Sequence, residues 1–379
     1  MLSPKIKRNI SRIIPFALTW LLYSIVFSLL ERGLLGNLNN YPSTGNPYHF
    51  GTAIFTAAIT ALTSGLLIGT LEIIYINKLF IKRSFLKKII YKTSIYLGII
   101  TLFLLVNRIL YNSIELNTGV FTKQVWAHTG EFFFNYVFCG VAAYITTVVG
   151  VSLFYNEISE NLGHGTLANF FTGRYHTPKE EERIFMFLDM KSSTTIAESL
   201  GHVKYFEMLR EYYFDLSDPI VKYSGEIYQY VGDEIVVSWK LKSVLENNNC
   251  IRCFFAMKEA LEKQTTKYNN RFGLLPGFKA GFHLGKVTTG EIGVIKKDII
   301  FTGDVLNTTA RIQGLCNTYK VDILISHNLM KELDINAQFQ IKTLGENKLR
   351  GKDETIELFT ISKYDRLVKE REIDTAYMM

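Results

Sequence analysis

Four cysteines in 379 residues are too few for a disulfide framework. Cys250 and Cys253 form a single CxxC inside a helix-like run, with no second pair to complete the roughly four ligands that zinc takes, so half-buried thiols without metal or redox chemistry are expected. Charge is scarce as well. Only 20% of residues are charged against 48% hydrophobic, and the mean hydropathy of +0.12 excludes a disordered or fibrous chain. No internal repeat or low-complexity tract is visible. A basic surplus is missing where a nucleic-acid binder needs one: residues 1–154 hold 13 Lys and Arg against 4 Asp and Glu, leaving 29 bases and 31 acids for 155–379. No nucleic-acid partner is expected of such a soluble half, and the basicity belongs with the apolar half, facing an anionic leaflet.

What is abundant is apolar length. Stretches near 13–30, 51–76, 95–110 and 132–153 approach the roughly 20 residues that span a bilayer. The first is long and no small-residue cleavage site follows it, so it reads as a retained span. Lys5, Lys7, Arg8 and Arg12 precede it, and Lys78, Lys82, Arg83, Lys87, Lys88 and Lys92 crowd the segment after the second span. The loop at 34–50 has no Lys or Arg, and the one at 111–131 has only Lys123. The positive-inside rule then puts both termini in the cytoplasm of a multi-pass protein of the cell membrane. Glu72 and Arg108 sit near span ends, where snorkelling toward the headgroups is the expected role and sensing the sharper one.

After Phe154 the apolar density falls. Residues 155–178, with Gly163, Gly165 and Gly173, read as a connector helix with a break. From Ile184 the period changes. Strands are expected at 184–189, 226–231, 234–239, 278–284, 287–292, 299–301, 322–326, 339–344 and 355–361, and helices at 194–200, 203–223, 250–268 and 305–315. This alternation fits an α+β domain of the split βαβ, ferredoxin-like kind.

Three constellations carry chemistry. Asp189 ends the apolar strand IFMFLD and precedes a Ser/Thr-rich turn with Ser193 and Thr194. It can serve a metal beside amides that face phosphate, or merely cap the helix that follows. Asp233 sits in the tip of YQYVGDEIVV, otherwise a plain β-turn. If the two strands are neighbours, both carboxylates reach one point, where two Mg²⁺ roughly 3.5–4 Å apart would serve phosphoryl transfer. Asn307 and Arg311, four apart, share one helix face, where an amide would orient a ribose and a guanidinium a phosphate; the bland alternative is a solvated face.

In this order, with the stretches IFMFLDMKSSTTIAESLGH, GEIYQYVGDEIVVSW and GFHLGKVTTGEIGVIKKDIIFTGDVLNTTARI, the soluble half resembles the class III nucleotidyl cyclases. The resemblance runs from about Glu181 to Ile361; together with the four apolar spans it gives a four-helix transmembrane bundle over 1–154, a connector over 155–180, a cyclase domain over 181–363 and a tail over 364–379. It implies two Mg²⁺ or Mn²⁺ per site on Asp189 and Asp233, and a transition-state pair in Asn307 and Arg311. Arg350 stands where such domains usually place a lysine for the triphosphate, and Ser193 and Thr194 join it in substrate binding. A head-to-tail homodimer is implied, with metals from one protomer and the Asn/Arg pair from the other.

Two positions depart from the pattern. Gln229 stands for a base-reading lysine, and Ile300 for an Asp, Thr or Ser. A glutamine amide serves adenine and, flipped, guanine. ATP is the preferred substrate because guanylate-specific members usually show Glu and Cys at these places. The rivals are a guanylate cyclase, a silent membrane receptor whose cyclase-like domain only dimerises, and a diguanylate cyclase, whose GGDEF turn is close to Val231–Ile235 but lacks its first glycine here.

Overall fold

The structure is a computed structural model that describes residues 3–36, 38–40, 47–81, 83–163, 166–241, 248–335, 339–352 and 354–363. Lys82, Gly165 and the tail at 364–379 lie outside the described residues. The chain divides into two units, one over Ile6–Leu167 and one from Ala168 onward.

The first unit is helical. Four of its helices are long and apolar enough to cross a membrane: α1 (Pro4–Leu35), the segment Phe50–Leu79, which opens with α2 (Phe50–Leu71), then α3 (Phe85–Glu115), and the stretch Phe138–Leu162 of the last. A short helix, α4 (Lys123–Phe133), precedes α5 (Tyr136–Leu162). The fourth expected span is therefore two helices, and Phe132 belongs to the short one. The connector expected from residue 155 is, as far as Leu162, a continuation of α5. Phe16, Ile68, Tyr96, Val149 and Leu153, drawn from all four long helices, form one apolar cluster.

Glu72 does not snorkel. A π turn at Glu72–Ile76 interrupts the second long helix, and the Glu72 carboxylate is fully buried. Lys92, which the sequence groups with the basic loop, lies inside α3 with no exposed surface. Its ammonium donates to Glu72 Oε1 at 2.6 Å, Glu157 Oε1 at 2.8 Å and Asn77 Oδ1 at 2.8 Å. The Tyr96 hydroxyl donates to Glu72 Oε2 at 2.9 Å. Arg108 lies over the rings of Tyr111 and Phe132, at 5.4 and 5.3 Å. Removing the cation leaves the buried Glu72 carboxylate with no ion-pair partner among the described residues, and Glu157 with Lys88 alone, at 3.0 Å. Lys92→Met is expected to lower stability by about 3–5 kcal/mol, read as an earlier loss of helical circular dichroism on heating the full chain in lipid discs.

The second unit is built on a mixed eight-stranded sheet in the order β2-β3-β1-β4-β6-β8-β7, with β5 paired to β4. The strands are β1 (Lys179–Met190), β2 (Glu226–Val231), β3 (Glu234–Lys240), β4 (Phe278–Ile292), β5 (Asp298–Thr302), β6 (Ile323–Ser326), β7 (Phe339–Lys348) and β8 (Thr355–Lys363). Only β4 and β6 run parallel. The run β4-β1-β3-β2 is the split βαβ arrangement expected from the pattern. Two expectations change. Strands 278–284 and 287–292 are one strand, and the helix at 250–268 is two, Asn249–Glu262 and Thr265–Phe272.

β1 is central, and its alternation assigns the faces. Ile184, Met186, Leu188 and Met190 enter the main core with Tyr212, Trp239, Phe254 and Phe282. That core sits beneath α7 (Ser193–Leu200) and α8 (His202–Lys222), with α6 (Thr166–Phe171) standing before β1. Phe185 and Phe187 point the other way, into a smaller cluster with Val236, Val287 and Val305. Cys250 and Cys253 are fully buried in the core rather than half-buried, and burial pushes the Cys250 thiol up to about 12.

Candidate active site

Asp189 continues the odd-numbered face of β1, behind Phe185 and Phe187. It therefore meets the helix packed on that face, Asp304–Gly314, which follows the two helices of 249–272 in chain order. Gln313 Nε2 of this helix donates to Asp189 Oδ2 at 3.1 Å, and Lys279, its cross-strand partner on β4, brings Nζ within 3.3 Å of the same oxygen. The carboxylate is not a helix cap, since the helix at Ser193 starts from Ser192 in the left-handed region (φ 55°) with no side-chain cap.

β3 pairs with β1 with Ile235 opposite Leu188, which brings the Gly232–Asp233 turn to the same end of the sheet. Gly232 takes a positive φ of 61°, a conformation that a side chain at that position would strain. The Tyr213 hydroxyl donates to the Gly232 carbonyl at 2.5 Å, and its ring packs on Tyr230 at 4.6 Å, so α8 clamps the tip. Asp233 Oδ2 is buried with no hydrogen-bond partner among the described residues.

The charges are crowded. Burial, then the neighbouring Asp233, raises the Asp189 carboxyl above its ordinary range. Burial, helped by both aspartates, pushes Glu234 up to about 7. Lys279 is the one cation that ion-pairs with Asp189 among the described residues. An orphaned carboxylate oxygen beside a second carboxyl is an acceptor set for a hard cation, and Mg²⁺ is ordinarily held by one or two carboxylates plus substrate phosphates and waters. The residues fit such an ion, and the described residues hold no larger cluster of metal-ligating side chains.

Asn307 and Arg311 lie elsewhere on the same helix. At about 100° per residue, Arg311 is roughly 200° around the axis from Gln313, so it cannot share the face that meets Asp189. Val305, Thr308, Thr309 and Ile312 are buried, whereas Asn307 is exposed and Arg311 partly so. A Cβ built on Gly351 would lie 3.6 Å from Arg311 Nη2, so the exposed Arg350–Gly351 turn adjoins Arg311. Lys352 ion-pairs with Asp304 at the start of the helix and holds that carboxyl below its ordinary range.

The remaining expected residues are near but separate. Gln229 is exposed on β2, and Ile300 is half-buried on β5 opposite Gly290. Their chain neighbours touch: the Phe301 amide donates to the Tyr228 hydroxyl at 3.3 Å, with ring centroids 4.8 Å apart. Ser193 is hydrogen-bonded to Tyr205, whose phenol is raised chiefly by burial, and Thr194 is exposed on the first turn of α7. Lys279, Gln313 and Tyr213 were not singled out in the sequence. Their signal is the strand register and the helix packing, neither of which a motif carries.

A family model for the adenylate and guanylate cyclase catalytic domain matches residues 176–363. Adenylate cyclase 2 of Rhizobium meliloti (strain 1021) is 33% identical over 222 residues, 59% of this chain and 61% of that one. An adenylate cyclase of Anabaena cylindrica is 27% identical over 46% of this chain and 36% of its own length. The chain thus spans about three fifths of the first relative and about a third of the second. In fold, the chain is also similar to a bacterial light-regulated adenylyl cyclase, at a TM-score of 0.50 and 19% identity over 63% of this chain and 70% of that one. With the helix and sheet order described above, the match identifies residues 176–363 as a domain of the adenylate and guanylate cyclase catalytic domain family.

Proposed function

We propose that this protein is a membrane-bound adenylate cyclase, converting ATP to 3′,5′-cyclic AMP and pyrophosphate at the interface of a homodimer. The observation that carries the reading is the Asp189–Asp233 pair, two adjacent carboxyls of which one keeps a buried oxygen with no partner among the described residues. Asp189 and Asp233 would hold two Mg²⁺ or Mn²⁺, which supply charge neutralisation for the triphosphate and a more acidic ribose hydroxyl. The ribose 3′-oxygen attacks the α-phosphorus and the bond to the pyrophosphate oxygen breaks. From the second copy, Arg311 neutralises charge that grows on the phosphoryl oxygens, and Asn307 orients the ribose. Arg350 would receive the triphosphate, with Ser193 and Thr194 beside it. The opposed faces of the Asp304–Gly314 helix support a site shared between copies, because one protomer cannot turn Arg311 and Gln313 toward the same carboxylate.

Gln229 and Ile300 would face the base. Neither is the residue guanylate-specific members usually carry, which favours ATP; the amide's capacity to flip keeps GTP as the second reading. The test is direct. Purified full-length protein given ATP or GTP with Mg²⁺ or Mn²⁺ is expected to release cyclic AMP from ATP. Cyclic GMP alone would transfer the reading to guanylate, cyclic di-GMP would replace it with the diguanylate rival, and no product would leave the silent receptor.

The first unit is read as a four-helix transmembrane bundle with both termini in the cytoplasm, supported by the loop charges. With the exposed Cys139 replaced by Ser, Leu38→Cys and Thr118→Cys are expected to react with a membrane-impermeant maleimide in intact cells, and Ser84→Cys only after permeabilisation. The reverse pattern would invert the topology, and labelling of all three would remove the spans.

A further inference from the structure

Within the first unit, a cleft of about 440 Å³ opens between α1, α2 and α5. Its origin is local. Gly65 of α2 lies against α1 so closely that a Cβ there would come within 2.8 Å of the Ala17 Cα, a small-residue crossing of the kind that holds apolar helices together. Beyond the crossing, α2 presents only alanine, threonine and serine to the cleft, while α1 and α5 present Trp20, Phe27 and Tyr144. The small wall leaves the large one uncovered.

The cleft is rich in electrons. Its single charged side chain is Glu31, which takes part in none of the described ion pairs, and no Lys, Arg or His lines it. The neighbouring Arg32 is engaged over the Phe50 ring at 6.0 Å. Phe27, one turn before Glu31, packs on Tyr144 of α5 with ring centroids 5.0 Å apart and the planes tilted by 47°. The Thr56 hydroxyl donates to its own helix, to the carbonyls of Thr52 and Ala53, so only its lone pairs remain for a ligand. Two aromatic faces beside an unpaired carboxylate, with hydroxyl acceptors around them, form a receptor for a cation of low hydration. At the other end, Trp20 Nε1 is a buried donor without a partner among the described residues. Trp20 and Glu31 are eleven residues apart on one helix, about 16 Å, and the volume is that of a small-molecule site, about 300–1,000 Å³.

We infer that this cleft binds an organic ammonium group, its charge at Glu31 beside the Phe27–Tyr144 ring pair and its apolar body running toward Trp20. The inference rests on the reading of these helices as spans, in which Glu31 lies toward the outer face; the maleimide labelling above reports on that reading separately. A free amine and a lipid headgroup present the same ammonium chemistry.

The experiment is saturation binding of radiolabelled benzyltrimethylammonium to the full chain in discs of phosphatidylglycerol. Saturable binding is expected, unaffected by the neutral isostere neopentylbenzene. Glu31→Gln is expected to weaken it by about tenfold or more, the loss of roughly 1.4 kcal/mol. Ala57→Leu, which fills the cleft from the opposite wall and leaves the carboxylate in place, is expected to abolish it, so the inference does not depend on one variant folding. Absence of saturable binding, equal displacement by neopentylbenzene, or undiminished affinity in Glu31→Gln overturns it. Repeating the titration in discs with phosphatidylethanolamine separates the two sources: loss of probe binding identifies a headgroup as the occupant, and retention identifies free amines, each outcome being binding at the same site.

Discussion

Asp233→Ala is expected to reduce cyclic nucleotide synthesis by on the order of 10³-fold or more, and Arg311→Ala by about 10²–10³-fold. The two losses differ in kind. Asp233 supplies a buried oxygen that no hydrogen bond among the described residues satisfies, so its removal takes away half of the acceptor pair at the sheet end. Arg311 sits on a helix whose other side is committed to Asp189 through Gln313, so its removal strips charge from a surface that faces out of its own protomer. In a two-fold dimer with shared sites, a heterodimer of the two variants has one site with both lesions and one with neither. Such heterodimers, purified by two different tags, are expected to recover about half of the wild-type turnover. If they remain as inactive as the parents, each protomer works alone and the shared site is wrong.

Gly281→Ala is the second large effect, and it needs only one methyl group. A Cβ at Gly281 would lie 2.4 Å from the Gln313 amide nitrogen and 2.7 Å from its Cα, and these are backbone atoms that cannot swing aside. The helix Asp304–Gly314 must lift off β4. Overpacking of this kind costs about 1–3 kcal/mol, and displacing a positioned group by about 1 Å can cost on the order of 10²-fold in rate. The variant is therefore expected to bind nucleotide with little change in KM while kcat falls by that order. Gly314→Ala, at the end of the same helix with nothing within 4 Å of its Cβ, is the control and is expected to leave rate and stability unchanged. Equal behaviour of the two variants would show that the close approach of helix and sheet is unimportant.

These two glycines also show how far a sequence can be read. Gly281 and Gly285 stand in the run FKAGFHLGK, where Gly285 suggests a strand break. In the fold they are ledges on one continuous strand, under Gln313 and Val305 respectively, because a helix can approach a sheet that closely only where no side chain stands. The helix at 250–268 misleads in the opposite sense: apolar spacing continues across residues 263–264, but the chain turns there.

The pattern along the chain alone determined the apolar stretches, the basic and charge-free loops, the alternation of β1 and the common face of Asn307 and Arg311. Each follows from a period of two or 3.6 residues or from local composition, and needs no knowledge of distant neighbours. Only the tertiary structure decided that Asp189 is flanked by Lys279 and Gln313, that Glu72 and Glu157 share Lys92 instead of reaching for water, and that α1 and α2 part beyond Gly65 to leave a cleft at Glu31. Those partners are many residues apart in the chain. Which of them meet depends on strand register and on where helices cross, and both are set by how whole surfaces pack rather than by any one segment's pattern.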